Sequence, residues 1–298
     1  MQTPEPTLAD RTAPRPVLVG EQLNAQGSRR TQQLLRAGDY AGLVAIGREQ
    51  LTHGAQALDV CVALEGRPDE DATMIALVSR LAAAVDVPLF IGSADPRVLV
   101  RALPHAGSRG VANSITLAHG SRDAALVTPI VRQLGARLVA LCIDETGMAE
   151  SAARKLEVAK RIYNELLGGF GLDARALIID VLTFPLAIGS AERRRGAPET
   201  IAAVRLVRKA LPDVQTILGI SDVSFGMPPA ARHILNAVFL HHCVDAGLDL
   251  AIVNPTTLRP YHQLPEHERV LAEDLLFNRR EDALERFTAA LAARGENC

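Results

Sequence analysis

Carboxylates and amides stand at the ends of short apolar segments along this chain of 298 residues. Glu21 and Asn24 close VLVGEQLN, Asp59 lies in ALDVCVA, and Asp95 follows VPLFIGS, whose last residue is Ser93. Asn113 and Ser114 lie in GVANSIT, and Asp144 and Glu145 close RLVALCIDE. Asp180 lies in ALIIDVLT, Ser221, Asp222 and Ser224 close QTILGISDVS, and Asn254 falls at the end of LDLAIVNP. A carboxylate accepts two parallel hydrogen bonds from an NH–C–NH2 edge, and an asparagine both donates and accepts. Such a set suits a neutral heterocycle with several N–H donors and ring acceptors. No glycine-rich cradle or lysine stands among these residues, which disfavours a phosphorylated substrate. No His–His–carboxylate grouping reads as a catalytic metal site, so no metal is expected.

To act together these residues must be brought to one place. The eight apolar segments occupy 17–24, 57–63, 87–93, 110–116, 137–145, 176–183, 215–224 and 248–255. They are β-branched or Leu-rich with little strict alternation, as in strands of a parallel sheet buried on both faces. Amphipathic stretches at 69–85, 121–134, 150–167, 198–210, 229–246 and 266–292 read as helices between and after them. Three acidic residues open the first of these helices, as suits a helix N-terminus. Gly135 follows the second, and Pro198 opens the fourth, a favoured first-turn position. Eight alternations in this length predict a single-domain (β/α)8 TIM barrel over 16–298, whose active site lies at the C-terminal strand ends. A doubly wound open sheet is the other arrangement, but the glycine-rich loop after its first strand is missing.

Composition narrows the functional class. With 32 Lys+Arg against 34 Asp+Glu the net charge is −2, leaving no basic surplus for a nucleic-acid backbone. No apolar run reaches membrane-spanning length. The proline-rich residues 1–15 are expected to form a disordered tail rather than a signal peptide. Four separated cysteines without a CxxC pair fit a reducing cytoplasm.

GEQLNAQGSRR, ALDV, VANSIT, LIID and ILGISDVSFGMP, in that order at strand ends, resemble the pterin-binding methyltransferase family. That family includes methyltetrahydrofolate–corrinoid protein methyltransferases and the folate domain of cobalamin-dependent methionine synthase. The resemblance runs from about residue 16 to 290, and is close to the methionine synthase folate domain at 234–254 and at FNRREDALERF. It implies a (β/α)8 barrel, matching the independent reading of the segments. It also implies methyl transfer between N5 of tetrahydrofolate and a separate corrinoid protein that carries cobalamin, and a homodimer.

Residue by residue, the resemblance places Asn113 and Asp180 on the pterin ring, with Asp180 accepting from N3–H and the 2-amino group. Ser93, Ser114, Ser224, Asp59 and Asn254 are further pterin-binding candidates, and Asp222 and Asn113 are the catalytic ones. Two positions depart from the family pattern. Gly92–Ser93 stands where the family has Asp–Ser, and Asp222 stands in place of an Asn beside N5. An ionised Asp can only accept, so it favours an N5 that carries a proton and could take that proton on methylation. The chain is therefore expected to be tuned toward forming methyltetrahydrofolate.

Two alternatives accompany this reading: a dihydropteroate synthase, and a pterin-binding subunit without methyltransferase activity. Against the first, the chain lacks that enzyme's N-x-T-x-D-S-F loop, its Ser-Arg-Lys cluster and its R-x-H ending. No D-x-H-x-x-G cobalamin signature and no zinc-thiolate homocysteine site is present, so a cobalamin-carrying partner is implied.

Other residues have plainer readings. Asp59 could equally be a structural acid, and Asp144 and Glu145 could cap a helix. Cys61 and Cys142 read as small core residues. His241 and His242, adjacent on a helix, point to different faces. Arg193–Arg195 reads as a solvated loop that would also suit a folate glutamate tail.

Overall fold

The computed structural model describes residues 16–188 and 195–295. Among the described residues nine strands run β1 (Val17–Asn24), β2 (Ala57–Cys61), β3 (Leu89–Gly92), β4 (Gly110–Ser121), β5 (Arg137–Asp144), β6 (Gly147–Met148), β7 (Leu177–Asp180), β8 (Gln215–Gly219) and β9 (Leu250–Val253). All but β6 pair in parallel around a ring, β1–β2–β3–β4–β5–β7–β8–β9, and β9 returns to β1. The closed eight-stranded parallel barrel with its surrounding helices is a (β/α)8 TIM barrel. β6 is a two-residue antiparallel return on β5.

The helices are α1 (Arg29–Ala37), α2 (Tyr40–Thr52), α3 (Glu70–Ala84), α4 (Pro96–Ala102), α5 (Arg122–Leu134), α6 (Ala152–Asn164), α7 (Gly196–Ala210), α8 (Pro229–Asp245), α9 (Glu266–Leu276) and α10 (Ala283–Gly295). The single helix expected over 266–292 is two. The break falls where Asn278 turns to a φ of 48°, a left-handed conformation that Asn tolerates and a helix interior does not. β4 runs five residues past its expected end at 116, and Leu117 in that extension pairs with Asp144 at the end of β5. The 215–224 segment stops being a strand at Gly219 and continues as a 3-10 turn, Ile220–Ser224. The tail at 1–15, the arginines Arg193 and Arg194, and Cys298 lie outside the described residues.

Inside the ring, strand periodicity of two separates an apolar floor from a polar mouth. Val19, Ala57, Phe90, Val111, Val139, Ile178, Ile217 and Leu250 pack together within the barrel, with Phe90 fully buried among them. Two residues further along their strands stand Glu21, Asp59, Gly92, Asn113 and Asp180. Alternation alone turns these toward the same interior, one layer nearer the C-terminal end. Leu58, Leu89, Leu138 and Leu218 occupy the opposite parity and join the outer core beneath the helices, and a register shift between Gly20 and Leu23 in β1 turns Leu23 outward with them.

Candidate functional site

Asp59 is the hub of one half of the mouth. It is almost wholly buried, and accepts from Asn24 Nδ2 at 2.8 Å and from Asn113 Nδ2 at 3.1 Å. The second bond passes from β4 to β2 across β3. There Gly92, in register with Asn113, puts no side chain in the way. A Cβ at Gly92 would stand 3.3 Å from Cys61 Cβ and from the Val60 carbonyl oxygen, so the strand crossing is tight as well as open. Burial pushes the Asp59 carboxyl up to about 6, against the opposing pull of the two asparagine donors.

The other half is built from β7, β8 and the turn that follows β8. Asp180 Oδ1 accepts from the Leu182 amide at 2.7 Å. Among the described residues no hydrogen bond occupies its Oδ2. Burial raises the Asp180 carboxyl to about 6, with the Leu182 N–H and the Lys155 ammonium opposing. Leu182 has a φ of 66°, which costs a side-chain-bearing residue roughly 1–2 kcal/mol. The Leu186 amide then donates to the Val223 carbonyl at 3.0 Å, tying the β7 loop to the β8 turn.

That turn carries Asp222 back over Gly219. A Cβ on Gly219 would lie 2.4 Å from Asp222 Oδ2, so the close approach depends on glycine at the strand end. Asp222 is exposed on the turn yet lies within electrostatic reach of Asp180, Asp59 and Arg232. Its carboxyl is raised to about 6, first by lost solvation, then by the charges of Asp180 and Asp59, with Arg232 opposing. Ser221 Oγ donates to Glu21 Oε2 at 2.6 Å, bridging the turn to β1. The Glu21 carboxyl is also raised, first by burial and then by Asp222 and Asp59, while the Ser221 bond and Arg232 lower it.

The mouth is thus a ring of four carboxylates and two asparagines, with Arg232 as the cation felt by Glu21 and Asp222. The arrangement presents acceptors and protonatable carboxyls to a bound molecule. Among the described residues it provides no cluster of cations for an anion. Among the described residues no group of three or more His, Cys, Asp or Glu could hold a metal ion.

Several residues picked from the sequence are engaged elsewhere. Ser93 Oγ donates to Glu70 at 2.6 Å and accepts from the Asp95 amide, while Asp95 caps α4 through the Arg97 amide. Ser224, fully buried, donates to the Ser221 carbonyl at 3.1 Å and receives Arg232 Nε at 3.3 Å, so it braces the turn. Asn254 accepts from the Thr256 amide and hydroxyl and lines, with Ser221, His233 and Asn236, a small cavity beside the mouth. Ser114 is half-buried next to Asn113. Asp144 bonds Arg154 and Thr146, and Glu145 pairs with both Arg161 terminal nitrogens at 2.6 and 2.7 Å, pinning the β5–β6 return to α6.

Cys61 and Cys142 are buried, as their strand positions suggested. His241 stacks on Tyr261 and His242 bonds Glu273 at 3.1 Å, but Tyr261 itself donates to that glutamate at 2.7 Å, so the two rings meet one cluster rather than the separate faces expected. Arg195 is exposed just before α7. Two participants gave no sequence signal: Lys155, because a lysine on an amphipathic helix reads as solvated, and Arg232, because it stands a turn into a helix.

Comparison with known proteins agrees with this geometry. Residues 20–254 match the family model described as "Pterin binding enzyme". The chain is 43% identical over 270 residues to a methionine synthase of Mycobacterium tuberculosis, covering 89% of this chain and 22% of that protein. It is 40% identical over 272 residues to a methionine synthase of Mycobacterium leprae, covering 90% and 22%. The chain therefore spans about a fifth of the length of these relatives. Among solved structures, a Xanthomonas albilineans dihydropteroate synthase with 4-aminobenzoic acid superposes with a TM-score of 0.58 at 19% identity, covering 80% of this chain and 88% of that one. The Yersinia pestis dihydropteroate synthase gives 0.58 at 13% identity, covering 89% and 93%. At these identities the solved structures show a shared fold. The family match spans β1 to β9 and every mouth residue, so the chain belongs to the pterin-binding enzyme family.

Proposed function

We propose that this chain is the folate site of a methyl-transfer system, exchanging a methyl group between N5 of a tetrahydrofolate and a corrinoid carried by another protein or domain. The observation that carries the reading is Asp222. Its carboxyl lies over Gly219 at the end of β8, no hydrogen bond from the described residues engages it, and lost solvation with the charges of Asp180 and Asp59 raises it to about 6. The identity to methionine synthases supports the substrate pair.

The donor set fits a pterin. Asp180 offers Oδ2 to the ring's N3–H and 2-amino edge, with Oδ1 held by the Leu182 amide. Asn113, oriented by its bond to Asp59, offers its amide oxygen to a ring donor. The corrinoid cobalt supplies or receives the methyl group. The chain's own task is to orient N5 and manage its proton. A methyl leaves a neutral tertiary amine poorly, and protonation of N5 eases that departure. In the opposite direction N5 of tetrahydrofolate gains the methyl and must lose a proton. Asp222, ionised above about pH 6, is placed to take it. Protonated, the same carboxyl would return the proton to N5 when methyltetrahydrofolate is the donor.

Dihydropteroate synthesis shares the fold, but its diphosphate leaving group would enter a ring of four carboxylates. The test is the rate of methyl exchange in both directions, with tetrahydrofolate plus methylcobalamin and with methyltetrahydrofolate plus reduced cobalamin. Asp222→Asn is expected to slow methyl exchange about tenfold or more in both directions, because the group that takes the N5 proton on one path returns it on the other. Unchanged rates in both directions would sink the proton-acceptor role. Folate binding without exchange in either direction would make the chain a non-catalytic pterin-binding unit.

A further inference from the structure

Lys155 is the one basic side chain on α6 that is completely buried, and burial pulls its ammonium down to about 8. A buried ammonium is costly unless its donors are satisfied, and an apolar chain of similar length would avoid the cost. Its Nζ donates to the Leu182 carbonyl at 2.9 Å and to Thr200 Oγ1, on α7, at 2.6 Å. Thr200 Oγ1 in turn donates to the same carbonyl at 2.8 Å. The remaining side of the ammonium faces the Phe184 ring, 5.1 Å from its centroid. All of this converges on one residue, Leu182, the one whose backbone is left-handed and whose amide donates to Asp180 Oδ1.

We propose that Lys155 and Thr200 are positioning residues for pterin recognition: by gripping the Leu182 carbonyl they hold its strained peptide so that the amide fixes Asp180 with Oδ2 turned to the substrate. The geometry gives each part a reason. Without the grip, Leu182 relaxes toward the common negative-φ regions and its N–H leaves the carboxylate. Asp180 then loses the donor that orients it. The ammonium also acts at a distance, since its charge opposes the rise in the Asp180 pKa and keeps the acid in the accepting form. Neither residue touches the pterin in this arrangement. The inference rests on the assignment of Asp180 to the pterin.

The experiment is calorimetric binding of 5-methyltetrahydrofolate to the wild type, Lys155→Met, Thr200→Val, Thr200→Ser, Asp180→Asn and the double variant Lys155→Met/Asp180→Asn. Circular dichroism of each establishes that it is folded. Lys155→Met is expected to bind about tenfold more weakly and Thr200→Val several-fold more weakly, while Thr200→Ser, which keeps the hydroxyl, stays near wild type. The double variant should bind no more weakly than Asp180→Asn alone, because the brace acts only through that carboxylate. Losses that multiply in the double variant, or wild-type affinity in Lys155→Met, would overturn the brace. Should Lys155→Met fail to fold, Thr200→Val and its double with Asp180→Asn give the same decision. Wild-type affinity in Asp180→Asn would overturn the pterin assignment itself, and the brace with it.

Discussion

Asn113 and Asp59 are 54 residues apart in sequence, yet the Asn113 amide donates to the Asp59 carboxylate at 3.1 Å across an intervening strand. The bond requires that β3 contribute only Gly92 at this level. It fixes which end of the Asn113 amide faces the mouth, because the nitrogen is committed and the oxygen is left to a ligand. Asn113→Ala removes that acceptor and deprives Asp59 of one of its two donors. About a tenfold loss of folate affinity is expected, with a further rise in the Asp59 pKa. Calorimetric titration checks the first and carboxyl NMR the second. Unaltered affinity would place the pterin elsewhere.

The acid ring makes stability depend on pH in a definite direction. Asp222 is raised to about 6 in the fold, above its value of about 4 in an unfolded chain. The folded state therefore holds the proton more tightly between those values, and stability falls as pH rises through about 6. Asp222→Asn removes the titration. Its melting temperature should exceed the wild type's at pH 8 by a few degrees, about 1 kcal/mol once the exposure of this side chain to solvent is allowed for. The gain should shrink toward pH 4. Melting curves at the two pH values decide it, and a gain that is constant with pH would contradict the electrostatic account.

Beneath the mouth, Phe90 fills the barrel interior among Val19, Val111, Val139 and Ile178. Phe90→Ala leaves a cavity that the closed ring cannot collapse. A loss of about 3–5 kcal/mol is expected, measured by urea unfolding. A loss under about 1 kcal/mol would mean that the interior repacks.

Strand ends were legible in the sequence because each pairs a β-branched run with a polar residue two positions on. That is why Asp59, Asn113, Asp180 and Asp222 could be picked before any geometry was known. Which hydroxyls face the mouth was not legible. Ser93 and Asp95 follow a strand as convincingly as Asp180 ends one, but Glu70 and the Arg97 amide, from other elements, take up their oxygen atoms. The helix break at Asn278 was hidden by charged residues that continue a helical pattern across it. Lys155 was hidden more deeply. Only the convergence of α6, α7 and the β7 loop shows that its charge lies inside.

The thiols offer a check on the core. Cys142 and Cys243 are fully buried, and burial raises both thiols well above the ordinary range. Cys61 is raised to about 11. Thiolate is the reacting form, so all three should resist iodoacetamide in the native protein and react in urea. Peptide mapping by mass spectrometry reads the sites directly. Rapid native labelling of Cys142 would mean that the β5–α6 packing opens.

The most direct measurement is calorimetric titration of tetrahydrofolate and methyltetrahydrofolate into the wild type and Asp180→Ala. The account predicts saturable binding of both folates to the wild type and its loss in a folded Asp180→Ala protein. Equal binding by the two proteins, or no binding of either folate to the wild type, would contradict it.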